Sequence, residues 1–291
     1  MWRTLGITAV LTVGALVGLR AQEATPLPRV IDVDGLPMRV WVAGTDQRKP
    51  GEPAIILEAG AGEGLDNWKP VFARIAAIAP VVAYDRRGMG QSAPHSEKQT
   101  LRRVAQSLHA LLQKMNVQPP YVLVGHSWGG LLTRAYIDQY AREVSGLLLL
   151  DAVNPGLSRE EQAKLVPPEE RAAVLAPPTM PPIPPGARPG MRAEIELISS
   201  EMVNDYPEAR SLSDPRDIPI VVVSAMPPNR LKNRGNQGFG IDPWEQAGFA
   251  LRSPKGMFVV ASHVGHMVHR DDPELVVHLI RHLIQNAPPA K

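Results

Sequence analysis

YVLVGHSWGGLLTR, residues 121–134, sets Ser127 among Gly125, Gly129 and Gly130 where a short apolar run gives way to helical spacing. YVLVG has the length and β-branched content of a buried strand, and the residues from Trp128 onward repeat apolar positions as a helix does. Gly125-His126-Ser127-Trp128-Gly129 fits G-x-S-x-G in the strand–turn–helix setting that this motif requires. The stretch has two readings, a structural turn or a held nucleophile. A sharp strand-to-helix turn strains the serine backbone, and neighbours without side chains let strand and helix crowd around an exposed hydroxyl. The helix start adds unpaired N–H groups and positive potential, useful where an oxyanion forms. The setting favours the nucleophile.

The flanking sequence builds a sheet around this turn. VIDVDGLPMRVWVAG (30–44) alternates on both sides of Asp34-Gly35, a hairpin signal. AIILEAG (54–60), VVAYD (81–85), GLLLLDA (146–152), IPIVVVSA (218–225) and MFVVAS (257–262) are short buried runs. Helical spacing separates them over 66–78, 101–115 and 128–140, and a last amphipathic helix runs over 273–285. This rhythm predicts an α/β fold: a mostly parallel central sheet with helices on both faces. It breaks after Asn154. Residues 166–190 carry nine prolines, which oppose helix interiors and central strands, and 192–204 reads as helix. We expect residues 155–215 to form a Pro-rich and helical cap insertion over one end of the sheet.

Composition bounds the rest. The 291 residues suit one large domain. Arg3, an apolar stretch from Leu5 to Leu19 and the small Ala21 form a signal-peptide pattern. The expected organisation is therefore a signal peptide over 1–21, cleaved near Ala21, and a domain over 22–291 exported to the periplasm or medium. An uncleaved anchor is the alternative, but the stretch is short for a membrane span. There is no cysteine, so no disulfide framework and no lipid-modified cysteine. Of 31 basic and 29 acidic residues, Arg3 and Arg20 belong to the signal-like segment, which leaves the remainder balanced. That balance argues against nucleic acid or an anionic membrane as partner. The basic cluster Arg230, Lys232 and Arg234 reads as a solvated loop.

A serine nucleophile needs a base. His95 falls in a loop, His109 on a helix, and His126 beside the serine on alternating backbone, so each reads as packing or surface. His278 and His282 are spaced as a metal pair but lack further ligands, and no metal site is expected. His263, His266 and His269 follow the last strand. His266, after Gly265, opens toward the strand's C-terminal end, where sites of parallel sheets form, and is the favoured base.

Several segments taken together resemble the α/β-hydrolase family over nearly all of 22–291. LEAGAGEG (57–64) is similar to the family's oxyanion loop, DRRGMGQS (85–92) to the segment after its fourth strand, GHSWGG to its nucleophile elbow and GHMVHRDDPELV (265–276) to its histidine loop. The resemblance implies Ser127 as nucleophile, His266 as base, and the N–H groups of Ala61 and Trp128 as oxyanion hole. LEAGAG departs from the commoner His-Gly start at the Ala61 loop. The implied reaction is carboxylic ester hydrolysis of a small-molecule acyl substrate through an acyl-enzyme, with no cofactor. Amide, lactone and carbon–carbon bond hydrolysis and cofactor-free peroxidase chemistry share this machinery, and a non-catalytic small-ligand binding protein is the reading from another class. Haloalkane dehalogenases and epoxide hydrolases use an aspartate where this chain has Ser127.

The family commonly takes its triad acid after the strand that is here IPIVVVSA, yet no acid follows before Asp242. Asp151 ends the preceding strand, GLLLLD, and some family members draw the acid from that place. Asp151 is the expected orienting acid for His266, with Asp242 and Asp85 as alternatives.

Overall fold

The computed structural model describes residues 26–180, 182–215, 217–228 and 242–287. The signal-like segment and the basic cluster at 230–234 lie outside the described residues.

Strands β1 (Arg29–Val33) and β2 (Leu36–Ala43) form the expected hairpin, antiparallel, with Asp34 and Gly35 both at positive φ in the turn. Strands β3 (Ala54–Glu58), β4 (Val81–Tyr84), β5 (Tyr121–His126), β6 (Val144–Leu150), β7 (Ile220–Ala225) and β8 (Gly256–Ala261) complete one eight-stranded sheet in the order β1-β2-β4-β3-β5-β6-β7-β8. β2 pairs antiparallel with β4, and every pairing from β4 to β8 is parallel.

The alternation of side chains explains why the central strands are apolar throughout. Ile56 of β3, Leu123 of β5 and Leu147 and Leu149 of β6 enter one core with helices α2 (Leu101–Lys114) and α3 (Gly129–Tyr140). Their neighbours Ile55, Leu57, Val122, Val124, Leu148 and Leu150 enter a second core on the opposite face, with α1 (Lys69–Ala76) and a C-terminal helix, Pro273–Asn286. Both faces are covered, so a polar side chain in these strands must find a buried partner, as Ser145 of β6 does by donating to the Tyr121 carbonyl at 3.2 Å.

Between β6 and β7 lie α4 (Arg159–Leu165), α5 (Arg171–Leu175), α6 (Pro189–Val203) and α7 (Pro207–Arg210). The proline tract does not prevent helix here. α6 begins three residues before the expected start because Pro189 sits in its first turn, where no N–H is needed. α4 starts on a capping box between Ser158 and Glu161. The β6–β7 segment is tied back to the sheet layer: the Glu208 carboxylate of α7 accepts the N–H groups of Leu101 and Arg102 at 2.9 and 3.0 Å, at the start of α2. Two short helices not expected from the sequence follow β7 and β8: α8 (Pro243–Ala250), capped by Asp242, and α9 (Val268–Asp271). The Pro273–Asn286 helix is α10. Among the described residues no helix is long and apolar enough to cross a membrane.

Candidate active site

Ser127 falls between β5 and α3 with φ +51°, in the left-handed region that a side chain ordinarily avoids. Three backbone bonds hold it there. Its N–H donates to the Leu150 carbonyl at 3.2 Å, and its own carbonyl accepts from Gly130 at 3.0 Å and Val153 at 2.9 Å. The glycines explain how helix and strand approach: a Cβ on Gly129 would lie 2.4 Å from the Glu58 carbonyl oxygen, and one on Gly125 would lie 2.8 Å from that of Gly129. The strained turn is thus pinned to the ends of β3 and β6.

Asp151 follows directly on β6 and is itself at φ +41°. Its N–H donates to Val223 at 2.8 Å, its Oδ1 accepts from the Ala225 N–H at 3.1 Å, and Gln246 Nε2 of α8 lies 3.5 Å from the same oxygen. The other oxygen, Oδ2, stands 2.7 Å from His266 Nδ1. Asp151 is buried, whereas the His266 side chain is 43% exposed. Two non-glycine residues at positive φ on one edge of the sheet are the kind of local strain that persists at functional positions.

The two alternative acids are engaged elsewhere. Asp242 Oδ1 accepts the N–H groups of Trp244 and Glu245 at 2.7 and 3.2 Å as the cap of α8. Asp85 is buried and accepts from Leu65 N–H at 2.8 Å and Gln91 N–H at 3.0 Å, which joins the loop before α1 to the turn after β4.

The loop after β3 presents Ala61 at the surface. Gly60 N–H donates to Glu63 Oε2 at 3.0 Å, Gly62 N–H to Glu194 Oε1 at 2.7 Å, and Glu63 N–H to the Gly60 carbonyl at 3.2 Å. Of the N–H groups at 60–63, that of Ala61 has no acceptor among the described residues, and nor does the Trp128 N–H at the head of α3. These are the two donors that the resemblance implied. Both are available to an oxygen.

Several neighbours have contacts that the sequence did not reveal. His126 is buried, with Nε2 3.0 Å from the His266 carbonyl oxygen and Nδ1 3.2 Å from Glu63 Oε2, so it links the loops that carry Ala61 and His266. Burial works against ionisation of Glu63, but its hydrogen bonds, from His126 first, outweigh this and hold its carboxyl at about 2. His269 of α9 is fully buried 4.6 Å from the Trp68 ring, and burial first, then the neighbouring His126, pushes it down to about 3. Arg86, Glu58 and Glu194 form a buried charged cluster beneath the Ala61 loop. The one sequence signal for it was Glu58, a carboxylate ending the otherwise apolar run AIILE.

A cavity of about 640 Å³ is lined by Leu157, Val166, Val174 and Tyr206 of the β6–β7 segment and by Trp244 of α8, among others, and reaches Pro155. Pro155 is two residues beyond Val153, whose N–H binds the Ser127 carbonyl.

The family model described as alpha/beta hydrolase fold matches residues 53–179. Among curated proteins, YqjL of Bacillus subtilis (strain 168) is 35% identical over 97 residues, 33% of this chain and 38% of that protein. The match spans little more than a third of that relative's length. Among solved structures, a haloalkane dehalogenase loop variant from Bradyrhizobium elkanii superposes with a TM-score of 0.63 at 16% identity, covering 89% of this chain and 96% of the other. A thermophilic esterase from Thermogutta terrifontis gives 0.58 at 20% identity, covering 89% and 98%. At such identities the likeness speaks for the fold alone, and the two neighbours perform different reactions on it.

Proposed function

We propose that this chain, whose residues 53–179 match the alpha/beta hydrolase fold model and which superposes on structures of that fold, is a serine hydrolase cleaving carboxylic esters through an acyl-enzyme on Ser127. The observation that carries this reading is the 2.7 Å approach of His266 Nδ1 to Asp151 Oδ2, on the sheet edge where Ser127 is held at positive φ. Hydrogen bonding to Asp151 keeps the proton on Nδ1 and leaves Nε2 as the base. Ser127 Oγ attacks the ester carbonyl carbon as its proton passes to Nε2, and the carbonyl oxygen, now negative, accepts from the Ala61 and Trp128 N–H groups. Collapse breaks the bond to the alcohol, which leaves with the proton from Nε2. Water then attacks the acyl-Ser127 with Nε2 again as base, releasing the acid and restoring the serine. Every proton is accounted for by His266, and the residues named need no cofactor. An aspartate-nucleophile reaction is disfavoured because the elbow residue is serine.

The cavity beside Pro155 is proposed to take the acyl part of the substrate, with the β6–β7 segment as its cap. Export also belongs to this reading: residues 1–21 are proposed to be removed as a signal peptide, so that the N-terminus of protein recovered from outside the cytoplasm lies near Gln22.

The test is a p-nitrophenyl ester series of increasing acyl length, followed for an initial chromophore burst and for turnover. The expected result is turnover on at least one chain length and a loss of roughly 10⁶ in kcat for Ser127→Ala with the fold retained by circular dichroism. A folded Ser127→Ala variant keeping more than a few per cent of activity overturns the assignment. Absence of both burst and turnover in the unaltered protein points instead to a binding protein.

A further inference from the structure

We propose that Arg86 is a positioning residue for the oxyanion donor at Ala61, and that Glu194 of the β6–β7 segment holds it in that role, so that the segment above the sheet governs the rate of the chemical step. This rests on the serine-hydrolase reading above.

Arg86 is buried, and each of its five N–H donors has an acceptor. Nε donates to Glu194 Oε2 at 2.9 Å and Nη2 to Glu194 Oε1 at 2.8 Å, a bidentate pair. Nη1 donates to Glu58 Oε1 and to the Ala59 carbonyl, both at 2.8 Å. The last donor, on Nη2, reaches the Gly60 carbonyl at 2.7 Å. That carbonyl belongs to the same peptide unit as the Ala61 N–H. In a planar trans peptide the two groups point in opposite directions, so fixing the oxygen fixes the direction of the N–H. A cation at the oxygen end also withdraws charge from the unit and strengthens its N–H as a donor.

Glu194 acts on the next peptide as well. The oxygen that accepts from Arg86 Nη2 also accepts the Gly62 N–H at 2.7 Å. Gly62 stands at φ +72°, which lets the chain turn there. The peptides on both sides of Ala61 are therefore held by groups that meet at Glu194, a residue of α6 and not of the loop. α6 approaches closely enough for this because Gly88 and Gly190 face each other: a Cβ on Gly190 would lie 2.2 Å from the Gly88 Cα. Apolar side chains would fill the same volume without the desolvation that three buried charges incur, so cohesion alone does not account for the cluster. Control of peptide direction does.

The test compares Glu194→Gln with the unaltered protein in kcat and KM on p-nitrophenyl acetate, counted per active site titrated with a fluorophosphonate label at Ser127. The amide puts an N–H where Arg86 needs an acceptor or where the Gly62 N–H does. The expected result is a fall of about tenfold or more in kcat with KM within twofold, since an oxyanion contact acts in the transition state. If Glu194→Gln folds poorly, the triple variant Glu58→Gln/Arg86→Met/Glu194→Leu, which leaves no buried charge unpaired and keeps an acceptor for the Tyr84 hydroxyl, decides: a folded protein by circular dichroism with kcat still low supports positioning, and a kcat within twofold of the unaltered protein overturns it. A Glu194→Gln kcat within twofold of the unaltered protein overturns the inference and leaves the serine-hydrolase reading standing. So does a raised KM at constant kcat, which assigns Glu194 to substrate binding. Unaltered protein that neither hydrolyses esters nor takes the label overturns the serine-hydrolase reading and this inference with it.

Discussion

On the proposed mechanism, replacing Asp151 by asparagine changes one atom and inverts the function of His266. The Ala225 N–H points at Oδ1 from 3.1 Å and demands an acceptor, with Gln246 Nε2 on the same side at 3.5 Å. An asparagine therefore keeps its oxygen toward Ala225 and turns its NH₂ toward His266, 2.7 Å away in the parent. That NH₂ donates, so Nδ1 must accept and the imidazole proton moves to Nε2, the atom needed as base. The flipped amide would restore the tautomer but set its NH₂ against two other donors, the Ala225 N–H and Gln246 Nε2, and would give His266 a neutral oxygen in place of the carboxylate that stabilises the imidazolium. The wrong tautomer costs about 10⁴ in turnover in another serine hydrolase, which is roughly 5.5 kcal/mol of barrier. We expect a loss of that order in kcat for Asp151→Asn, with the fold unchanged. The assay is p-nitrophenyl ester turnover across pH 6–9 beside melting temperature, with Asp242→Asn as control, expected to lose less than tenfold because its carboxylate caps α8. The opposite ranking of the two variants would refute the reasoning.

Gly129→Ala should lower stability by about 1–3 kcal/mol in urea unfolding, because the new Cβ meets the Glu58 and Ala59 carbonyl oxygens at 2.4 and 2.6 Å; full stability would mean that α3 can move off β3. His269 is held at about 3 by burial, below its unfolded value, so the unfolded chain binds the proton first. Its contribution is complete above about pH 6.5 and is lost as pH falls, by about 3 kcal/mol at pH 4. His269→Leu should therefore flatten the fall in melting temperature between pH 6.5 and 4, and an unchanged slope counts against a buried neutral ring. Val174→Trp narrows the 640 Å³ cavity. At about 0.8 kcal/mol per methylene displaced, loss of two methylenes' burial lowers kcat/KM for long acyl chains about tenfold relative to acetate, and an unchanged ratio places the acyl group elsewhere.

The strands were legible because both faces of the sheet are covered: a run such as GLLLLD admits no polar residue until it leaves the core, and Asp151 marks the point where it does. The hairpin was legible because Asp34-Gly35 is a local conformational signal that needs no tertiary contact. His126 was legible as a packed residue, but its link between two loops was not. Alternation along β5 correctly directs it away from Ser127, but nothing local says that the Glu63 and His266 loops converge on the side to which it points. The Arg86 cluster escaped for the same reason, since Glu58, Arg86 and Glu194 are drawn together from three distant segments. α8 hides behind a proline at its first turn and a modest apolar pattern, and its role became visible only when Gln246 was found beside Asp151.

The β6–β7 segment leaves the sheet at Asp151 and returns into β7, where Val223 and Ala225 bind the backbone and side chain of that same aspartate. Its two ends are clamped together by the site itself, so length between them is cheap: each doubling of a flexible connection costs only about 0.6 kcal/mol. A lineage could replace the whole segment, and with it the substrates admitted, while Ser127, Asp151 and His266 stay undisturbed. The exception is one side chain. A transplanted segment lacking a carboxylate at the position of Glu194 would leave Arg86 buried with two of its five hydrogen bonds and one of its two carboxylates gone, so chimeras should sort into working and failing designs by that single residue before segment length or composition matters.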